Sequence, residues 1–293
     1  MINFLNKISA YCKLMRLDKP VGIFLLLAPT MWALWIANKG FPNIIIFSYL
    51  LLGTFVMRSA GCVINDIADR KIDNKVTRTK TRILANNIIS LKEAIWLFLA
   101  LIFIAFIIVL QLPRLCFYQS ILALWLTIIY PFCKRFFKAP QAILGFAFSM
   151  GIFIAYSASL VTLDFIFLLL ITLNYIWIIS YDTMYAMVDK QDDLKIGVLS
   201  TAILFGSYDN LIVKSINFVF HFFWLLIAVL VQLNILFYIF WLFGLLIIFY
   251  QHNLLNQQTR NSYFQAFSIS AWYGMLMWVA LIIGYSLEST QNI

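Results

Sequence analysis

The stretch IIIFSYLLLGTFVMRSAGCVINDIADRKID, residues 44–73, joins a long apolar run to three aspartates. Arg58 is the only charged residue between positions 44 and 64, and roughly 20 apolar residues are what an α-helix needs to cross the hydrocarbon of a bilayer. An unpaired aspartate near the centre of a membrane helix costs about 2.5–3.5 kcal/mol, and less toward the interface. The stretch therefore predicts a membrane helix whose end carries carboxylates that hold a charged partner.

The composition of the whole chain is that of a membrane protein. Of its 293 residues, 63% are hydrophobic and 11% are charged, whereas soluble domains are about 45–50% apolar and about 25% charged. The mean hydropathy is +0.93, and a soluble core of this size cannot absorb so much apolar surface. We therefore predict an all-α, polytopic integral membrane protein of about nine transmembrane helices. The apolar runs lie at residues 21–38, 44–64, 92–111, 115–132, 141–160, 163–181, 215–233, 235–250 and 267–287.

Basic residues concentrate in alternate connections between these runs. Connections rich in lysine and arginine face the cytoplasm, so we predict a cytoplasmic N-terminus and a C-terminus on the opposite side. The net charge is +9, but no basic helix or arm stands apart from the spans, which argues against nucleic acid as a partner. The bases that set this orientation are Lys7, Lys13, Arg16, Lys19, Arg70, Lys71, Lys75, Arg78, Lys80, Arg82, Lys92, Lys134, Arg135 and Lys138.

The chain is predicted to be one membrane domain, residues 1–293, because no Gly/Ser linker or low-complexity tract divides it. It nevertheless contains a weak internal repeat. Asp69 and Asp73 lie four residues apart, and Asp189 and Asp193 repeat that spacing 120 residues further along. Two similar halves that meet at a shared site are a common plan among membrane proteins. We therefore predict two weakly similar halves, with acidic motifs at residues 65–73 and 182–193.

Seven of the twelve acidic residues fall within these two motifs. They are Asp66, Asp69, Asp73, Asp182, Asp189, Asp192 and Asp193. On a helix, the first three are spaced i, i+3, i+7 and share one face. Carboxylates on facing helices repel one another and cannot all stay ionised without a cation, and ligands that are all oxygen favour Mg²⁺. The alternative is a solvated loop whose acids pair with neighbouring bases, and we accept it only for Asp192 and Asp209.

Bases close to the acids indicate a phosphate-bearing ligand. Mg²⁺ in proteins usually keeps waters and is completed by phosphates of the substrate. Arg78 and Arg82 follow the first motif, while Tyr130, Lys134 and Arg135 lie at the end of the fourth apolar run. The chain has no Walker-type glycine loop, which argues against a nucleotide. A diphosphate attached to a hydrocarbon chain is the ligand that fits such a site in a membrane.

Four segments resemble the UbiA superfamily of intramembrane prenyltransferases, and the last three apolar runs match it only in hydropathy. The resemblance implies nine helices around a central cavity open to lipid, in a bacterial inner membrane with the active site facing the cytoplasm. It implies Mg²⁺-dependent transfer of a polyprenyl group from its diphosphate to the ring of 4-hydroxybenzoate, ortho to the hydroxyl, in ubiquinone biosynthesis. The segments are MRLDKPVGIFLLLAPTMWALW (15–35), RSAGCVINDIADRKIDNKVTRTKTR (58–82), YPFCKRF (130–136) and YDTMYAMVDKQDDLKIGVLSTAILFG (181–206).

The same resemblance implies roles for individual residues. The implied metal ligands are Asp66, Asp69, Asp73, Asp189 and Asp193, with Asn65 completing the first motif. The residues implied to bind substrate are Arg58, Arg78, Tyr130, Lys134, Arg135 and Tyr185, of which Arg58 belongs to the aromatic-acid pocket and the others lie on the diphosphate side. The residues implied to be catalytic are Arg58, Asn65, Asp66, Asp182 and Asp189, with Asp182 near the acceptor.

The chain departs from the family pattern at two places. Ile83, Ala85 and Asn87 stand where the family has residues that stiffen the loop after the first motif, and Leu199 stands where a lysine is common. Both departures bear on the rigidity of the loop and on phosphate affinity more than on the chemistry.

Two other functions fit parts of the sequence. Another enzyme of the superfamily, making menaquinone, haem O or a related product, would share both aspartate motifs, although the segments RLDKPVG (16–22) and YDTMYA (181–186) favour the 4-hydroxybenzoate branch. A cation-coupled transporter also places acids within the membrane and has repeated halves. Transport, however, does not explain the bases that are grouped with the acids.

Overall fold

The computed structural model describes the backbone of residues 4–286 and the side chains of residues 6–286. Within these residues the chain forms helices and turns, and it contains no β-strand. The prediction of an all-α fold is confirmed. The α-helices are α1 (Phe4–Leu14), α2 (Val21–Ala37), α3 (Ile44–Asp69), α4 (Leu91–Val109), α5 (Arg114–Cys133), α6 (Pro140–Ala158), α7 (Phe165–Ile196), α8 (Thr201–Leu204), α9 (Asp209–Leu230), α10 (Ile235–Asn256) and α11 (Arg260–Ser286). Short 3₁₀ turns lie at Asp73–Lys75 and Gly206–Tyr208.

The predicted membrane spans correspond to helices of the structure. Within residues 4–286, eight helices, α3 to α7 and α9 to α11, are long and apolar enough to cross a bilayer. Helix α2 is also apolar but has 17 residues, which is the lower end of the roughly 17–25 residues that a span requires. The nine apolar runs of the sequence fall on α2 to α7 and α9 to α11. The chain is therefore a polytopic membrane protein.

Local sequence signals explain where several helices begin. The side chain of Asn43 accepts a hydrogen bond from the Ile45 amide (2.8 Å) at the start of α3. Ser90 and Glu93 form a capping box at the start of α4, in which each side chain bonds the other residue's amide, and such a cap satisfies amides that the helix leaves free. Asp164 caps α7 by accepting from the Phe167 amide (2.9 Å).

Helices α3 and α7 continue well beyond their apolar runs, and in both cases the extra turns carry an acidic motif. Helix α7 has 32 residues, which is about 48 Å at 1.5 Å per residue, whereas the hydrocarbon core of a bilayer is about 30 Å thick. Gly197 ends α7 with a φ of 72°, a left-handed conformation that glycine adopts without strain. The carboxyl end of α7 therefore extends past the hydrocarbon.

The main core lies where α2, α7, α9 and α11 meet. The ring of Trp32 is 4.9 Å from that of Trp177 and 5.0 Å from that of Trp224, measured between centroids. The Trp32 indole also donates to the Gly274 carbonyl (2.9 Å). A Cβ atom at Gly274 would lie 2.5 Å from the Trp177 ring and 2.9 Å from the Ala28 Cβ, so the glycine allows α11 to approach α2 and α7 closely.

A second, smaller core joins α1, α3 and α4 to the connection that follows the first acidic motif. Ile83, Leu84 and Ala85 are each less than 10% exposed, and Ile83 and Leu84 pack in one apolar cluster with Leu14 and Val63. Burial of these side chains anchors the connection, although it lacks the stiffening residues of the family pattern.

Candidate active site

A cavity of about 860 Å³ lies where α2, α3, α5, α6, α7 and α11 come together. Every site residue predicted from the sequence lines it. These residues are Arg58, Asn65, Asp66, Asp69, Asp73, Arg78, Tyr130, Lys134, Arg135, Asp182, Tyr185, Asp189 and Asp193. The structure thus brings both acidic motifs and the neighbouring bases into one space, which we call the substrate cavity.

Helix α3 supplies Arg58, Asn65, Asp66 and Asp69 to the substrate cavity. The prediction that Asp73 continues the same helical face is wrong, because α3 ends at Asp69 and Asp73 opens a 3₁₀ turn. The turn nevertheless leaves Asp73 buried and facing the cavity.

Helix α7 supplies the opposite wall. Asp182, Tyr185, Asp189 and Asp193 are spaced i, i+3, i+7, i+11, which places them along one face of the helix, and all four line the cavity. Asp182 and Asp189 are buried. The second motif lies within the extension of α7 beyond its apolar run, so the helix itself fixes the spacing of these groups.

Arg78 lies in the connection that follows the first motif, and its side chain binds residues of the second motif. Its guanidinium donates to both oxygens of Asp189, at 2.5 to 3.1 Å, and to the Tyr185 hydroxyl at 2.6 Å. The same guanidinium lies 4.5 Å from the centroid of the Tyr185 ring. Burial by itself lowers the pKa of Arg78, but Tyr185 and Asp189 outweigh it, so that this pKa is raised. Arg78 therefore stays charged while it lies against α7.

Arg82 pairs with the first motif from within the same connection. Its Nη1 atom lies 3.1 Å from Asp66 Oδ1 and 3.1 Å from each oxygen of Asp73. Burial raises the pKa of Asp73, and Arg82 opposes that rise. Lys134 lies 3.5 Å from Asp69 Oδ2. Each acid of the first motif thus faces a base in this structure.

The carboxylates of the cavity fit Mg²⁺ by chemistry, although they are turned toward bases here. Among the described side chains, no three His, Cys, Asp or Glu residues are grouped so as to hold a metal ion. The donor set is all oxygen, which suits Mg²⁺. In addition, Asn65 Oδ1 is buried without a hydrogen-bond partner in the part of the chain that the structure describes. An ion bound here would take carboxylates that now pair with Arg82 and Lys134.

Arg58 lies apart from the diphosphate-side bases. Its guanidinium is 5.9 Å from the centroid of the Phe148 ring, and its buried Nε atom has no hydrogen-bond partner among residues 6–286. Arg58 and Phe148 also line a second, apolar cavity of about 220 Å³. A buried donor without a partner costs about 1–3 kcal/mol, so this guanidinium is suited to an acidic ligand.

The sequence reasoning missed two contacts of the site. The sequence identifies Arg16 only as a topology signal, but it lines the cavity and its Nη2 atom donates to both oxygens of Asp66, at 2.9 and 3.1 Å. Asp192 was predicted to be a solvated acid, which is wrong: it is 8% exposed and binds Arg260 of α11 and the Thr77 amide. Neither pairing could be found from spacing, because Arg16 and Arg260 are distant in sequence. Asp209 does pair with a nearby base, Lys190 (2.6 Å).

Comparison with known proteins identifies the family. Residues 26–282 match the model of the UbiA prenyltransferase family. This chain belongs to that family. The UbiA match covers every predicted site residue, and the resemblance stated from the sequence motifs is confirmed.

Similar proteins with assigned names come from several bacteria. Over 273 residues the chain is 50% identical to the 4-hydroxybenzoate octaprenyltransferase of Legionella pneumophila (strain Lens), which covers 93% of this chain and 97% of that protein. Over 279 residues it is 46% identical to the protein of the same name from Pasteurella multocida (strain Pm70), covering 95% of this chain and 96% of that protein.

Solved structures of UbiA homologs share the fold. A homolog from Aeropyrum pernix K1 superposes with a TM-score of 0.78 at 20% identity, covering 89% of this chain and 97% of that chain. A homolog from Archaeoglobus fulgidus, bound to GPP and Mg²⁺, superposes with a TM-score of 0.71 at 15% identity, covering 93% of this chain and 99% of that chain.

Proposed function

We propose that this UbiA-family chain transfers a polyprenyl group from polyprenyl diphosphate to 4-hydroxybenzoate, at the ring carbon ortho to the hydroxyl, in ubiquinone biosynthesis. The observation that carries the proposal is the division of the substrate cavity into two ends. One end holds paired acids and bases, and the other holds Arg58, whose buried Nε atom lacks a partner within the described residues. The 50% identity to a protein named 4-hydroxybenzoate octaprenyltransferase supports this choice of acceptor.

At the charged end, Arg78, Lys134 and Tyr185 are proposed to bind the diphosphate. Lys134 and Arg78 already hold carboxylates, and a diphosphate presents oxygens of the same kind to the same donors. Positive charge placed there stabilises the negative charge that grows on the leaving diphosphate in the transition state, and this lowers the activation barrier. Mg²⁺ held by the carboxylates of the two motifs would add to that stabilisation.

At the other end, Arg58 is proposed to bind the carboxylate of the aromatic acid. A guanidinium can hold a carboxylate through two parallel hydrogen bonds, which fixes the plane of the ring. The allylic C–O bond then breaks, the ring carbon attacks the resulting carbocation, and the ring proton leaves to a carboxylate or to the released diphosphate. Asp182 is a buried carboxyl of the same cavity. Apolar walls exclude water, which would otherwise trap the carbocation.

Location and organisation are part of the proposal. We propose that residues 1–293 form a single domain in the bacterial inner membrane, with the substrate cavity facing the cytoplasm. Helix α2 of the first half packs on α6 and α11, and α7 packs on α6, α9 and α11, so helices from both halves form one body. The basic connections before α2, after α3 and after α5 lie on the side of the cavity, as the positive-inside rule requires.

The test of the acceptor is Arg58→Lys, which keeps the charge but removes the bidentate geometry. We expect the KM for 4-hydroxybenzoate to rise about tenfold or more, since the loss of a charge-assisted bond costs about 1.5–3 kcal/mol. The KM for polyprenyl diphosphate should change little. Normal prenylation of 4-hydroxybenzoate by Arg58→Ala would remove the main support for this acceptor.

The same assay separates the enzyme from its alternatives. Purified protein in micelles, given labelled polyprenyl diphosphate and 4-hydroxybenzoate, should form a prenylated acid whose mass identifies it. A transporter needs two compartments and yields no product in micelles. A menaquinone or haem O enzyme would leave 4-hydroxybenzoate unmodified and prenylate a different acceptor.

A further inference from the structure

A second basic space adjoins the substrate cavity where α3, α5 and α7 end, and it shares Ile72, Arg135 and Val198 with that cavity. It is a cleft of about 570 Å³, and its charged residues are Arg70, Lys71 and Arg135. None of the described residues that line it is acidic. Ile67, Phe132 and Ile196 are among the apolar residues of its walls. We call it the basic cleft.

Arg70, Lys71 and Arg135 have no carboxylate partner among the described residues. Arg70 and Lys71 make no hydrogen bond or ion pair with the residues that the structure describes. Arg135 donates to the Ala68 carbonyl (2.9 Å) and lies over the Phe132 ring. By contrast, Arg78 and Arg82 each hold an aspartate. Three bases without a carboxylate make this cleft a site of positive potential.

The positive potential of the basic cleft favours an anionic ligand, and the apolar walls of the cleft indicate what kind of molecule carries that anion. Phe132 is 40% exposed, and Ile67 lies one turn of α3 before Arg70 and Lys71. The cleft therefore pairs cations with apolar surface at the end of membrane helices. That is the arrangement in which basic pockets between transmembrane helices bind anionic lipid headgroups. We propose that the basic cleft binds an anionic phospholipid, with its phosphate on Arg70 and Lys71 and its upper acyl chain against Ile67 and Phe132.

The test compares two double variants that lose the same charge. Arg70→Gln with Lys71→Gln removes two bases of the cleft, whereas Lys75→Gln with Lys80→Gln removes two exposed bases of the same connection that do not line it. Binding of phosphatidylglycerol and of phosphatidylcholine to the purified protein is measured by native mass spectrometry. We expect the wild type to prefer phosphatidylglycerol, and the cleft variant to lose on the order of 25-fold in affinity, from about fivefold per base.

The control variant should keep its affinity for phosphatidylglycerol within twofold, and Lys71→Gln alone should lose about fivefold. Equal binding of the two lipids by the wild type, or an equal loss in both double variants, would overturn the proposal. Displacement of the lipid by millimolar inorganic phosphate would also overturn it, because free phosphate would then be the ligand.

A separate observation concerns Gly22 of α2, which leaves room for Arg58. A Cβ atom at position 22 would overlap Arg58 Nη2, and it would lie 2.5 Å from Nε and 2.7 Å from Cζ of the same side chain. On its other side the guanidinium faces the Phe148 ring. No hydrogen bond holds Nε among the described residues, so the shape of this gap sets where the guanidinium lies. We infer that Gly22 is a positioning residue for Arg58, an inference that rests on the proposed function.

The test is Gly22→Ala, which favours the helix but displaces the guanidinium. We expect the KM for 4-hydroxybenzoate to rise roughly tenfold, with the KM for polyprenyl diphosphate unchanged, because only the acceptor contact moves. Gly61→Ala on α3 is the control, since its Cβ would meet Thr127 at an ordinary 3.7 Å, and its KM values should stay within twofold of the wild type.

Combining Gly22→Ala with Arg58→Ala should be no worse than Arg58→Ala alone, since residues that act through one another are not additive. If Arg58→Ala itself leaves the KM for 4-hydroxybenzoate unchanged, the proposed function fails. If Arg58→Ala raises that KM and Gly22→Ala does not, only the inference about Gly22 fails.

Discussion

Lys134 and Arg135 are adjacent in sequence but differ in what they contact. Both line the substrate cavity. Lys134 lies 3.5 Å from Asp69 Oδ2 and over the Tyr130 ring, whereas Arg135 is exposed and bonds a backbone carbonyl. We therefore expect Lys134→Ala to raise the KM for polyprenyl diphosphate and to lower kcat far more than Arg135→Ala does, because charge on the leaving group grows in the transition state. Steady-state kinetics with each substrate varied in turn measures both. Equal effects of the two variants would contradict this ranking.

Asp69 and Asp189 lie on facing helices, and each is held by one base. Replacing either with asparagine keeps the shape and removes a ligand charge, so we expect transfer to fall at least 100-fold while the protein still folds. Activity of the wild type should also be lost in EDTA and restored by Mg²⁺. Asp209→Asn is the matched control, because Asp209 pairs with Lys190 outside the cavity. Substantial turnover of the wild type in EDTA would contradict the two-motif metal site.

The sequence was enough to predict which residues line the substrate cavity, but not which acid pairs with which base. Helical spacing, the proximity of acids to bases and the resemblance to the UbiA superfamily together selected thirteen residues, and all of them line one space. The spacing of Asp66 gives no hint that Arg16, 50 residues earlier, binds it. Arg16 has a φ of 59°, and such a turn is set by the tertiary contacts around it.

The connection between α3 and α4 is held in place by ion pairs and by burial of apolar side chains. Arg82 binds Asp66 and Asp73 with 15% of its side chain exposed, and Ile83 and Leu84 below it are buried. Removing one partner of a buried ion pair is strongly destabilising, by about 3–5 kcal/mol. In Arg82→Ala we therefore expect faster hydrogen exchange of the amides at residues 72–82, with the transmembrane helices unaffected. Lys80→Ala, at an exposed position of the same connection, should exchange like the wild type, and a uniform increase along the chain would contradict a local role.

Local chemistry explains where helices begin, whereas hydropathy does not explain where two of them end. Ser90 and Glu93 cap the start of α4, and such capping depends only on residues close in sequence. The apolar runs stop at residues 64 and 181, before α3 and α7 end. Hydropathy reports contact with lipid, and a helix that leaves the lipid continues as long as the protein buries its polar side chains. The apolar run that stops at residue 181 therefore does not include the turns of α7 that carry Asp189 and Asp193.

At the scale of the molecule, the cluster of Trp32, Trp177 and Trp224 joins three helices and Gly274 joins a fourth. Trp32 is fully buried, and loss of a buried tryptophan costs about 3–5 kcal/mol. We expect Trp32→Ala to lower the midpoint of thermal unfolding in detergent by on the order of 10 °C. Trp96→Ala is the control, because Trp96 of α4 is 72% exposed. An equal fall in the unfolding midpoint of both variants would contradict a larger contribution to stability from this cluster than from a lipid-facing tryptophan. Which helices meet at Trp32 could not be predicted, since apolar side chains face lipid and core alike.

The length of α7 has a consequence for how a long-chain donor is handled. A helix of about 48 Å in a hydrocarbon layer of about 30 Å carries its acidic turns at the height of the lipid headgroups. A polyprenyl diphosphate in the bilayer already holds its diphosphate at that height, with its tail among the acyl chains. Withdrawing the tail into water would cost about 0.8 kcal/mol for each CH₂, which no protein contact could match over dozens of carbons. With its charged groups at the surface, the enzyme can collect this donor by lateral diffusion and leave the tail dissolved in the membrane throughout.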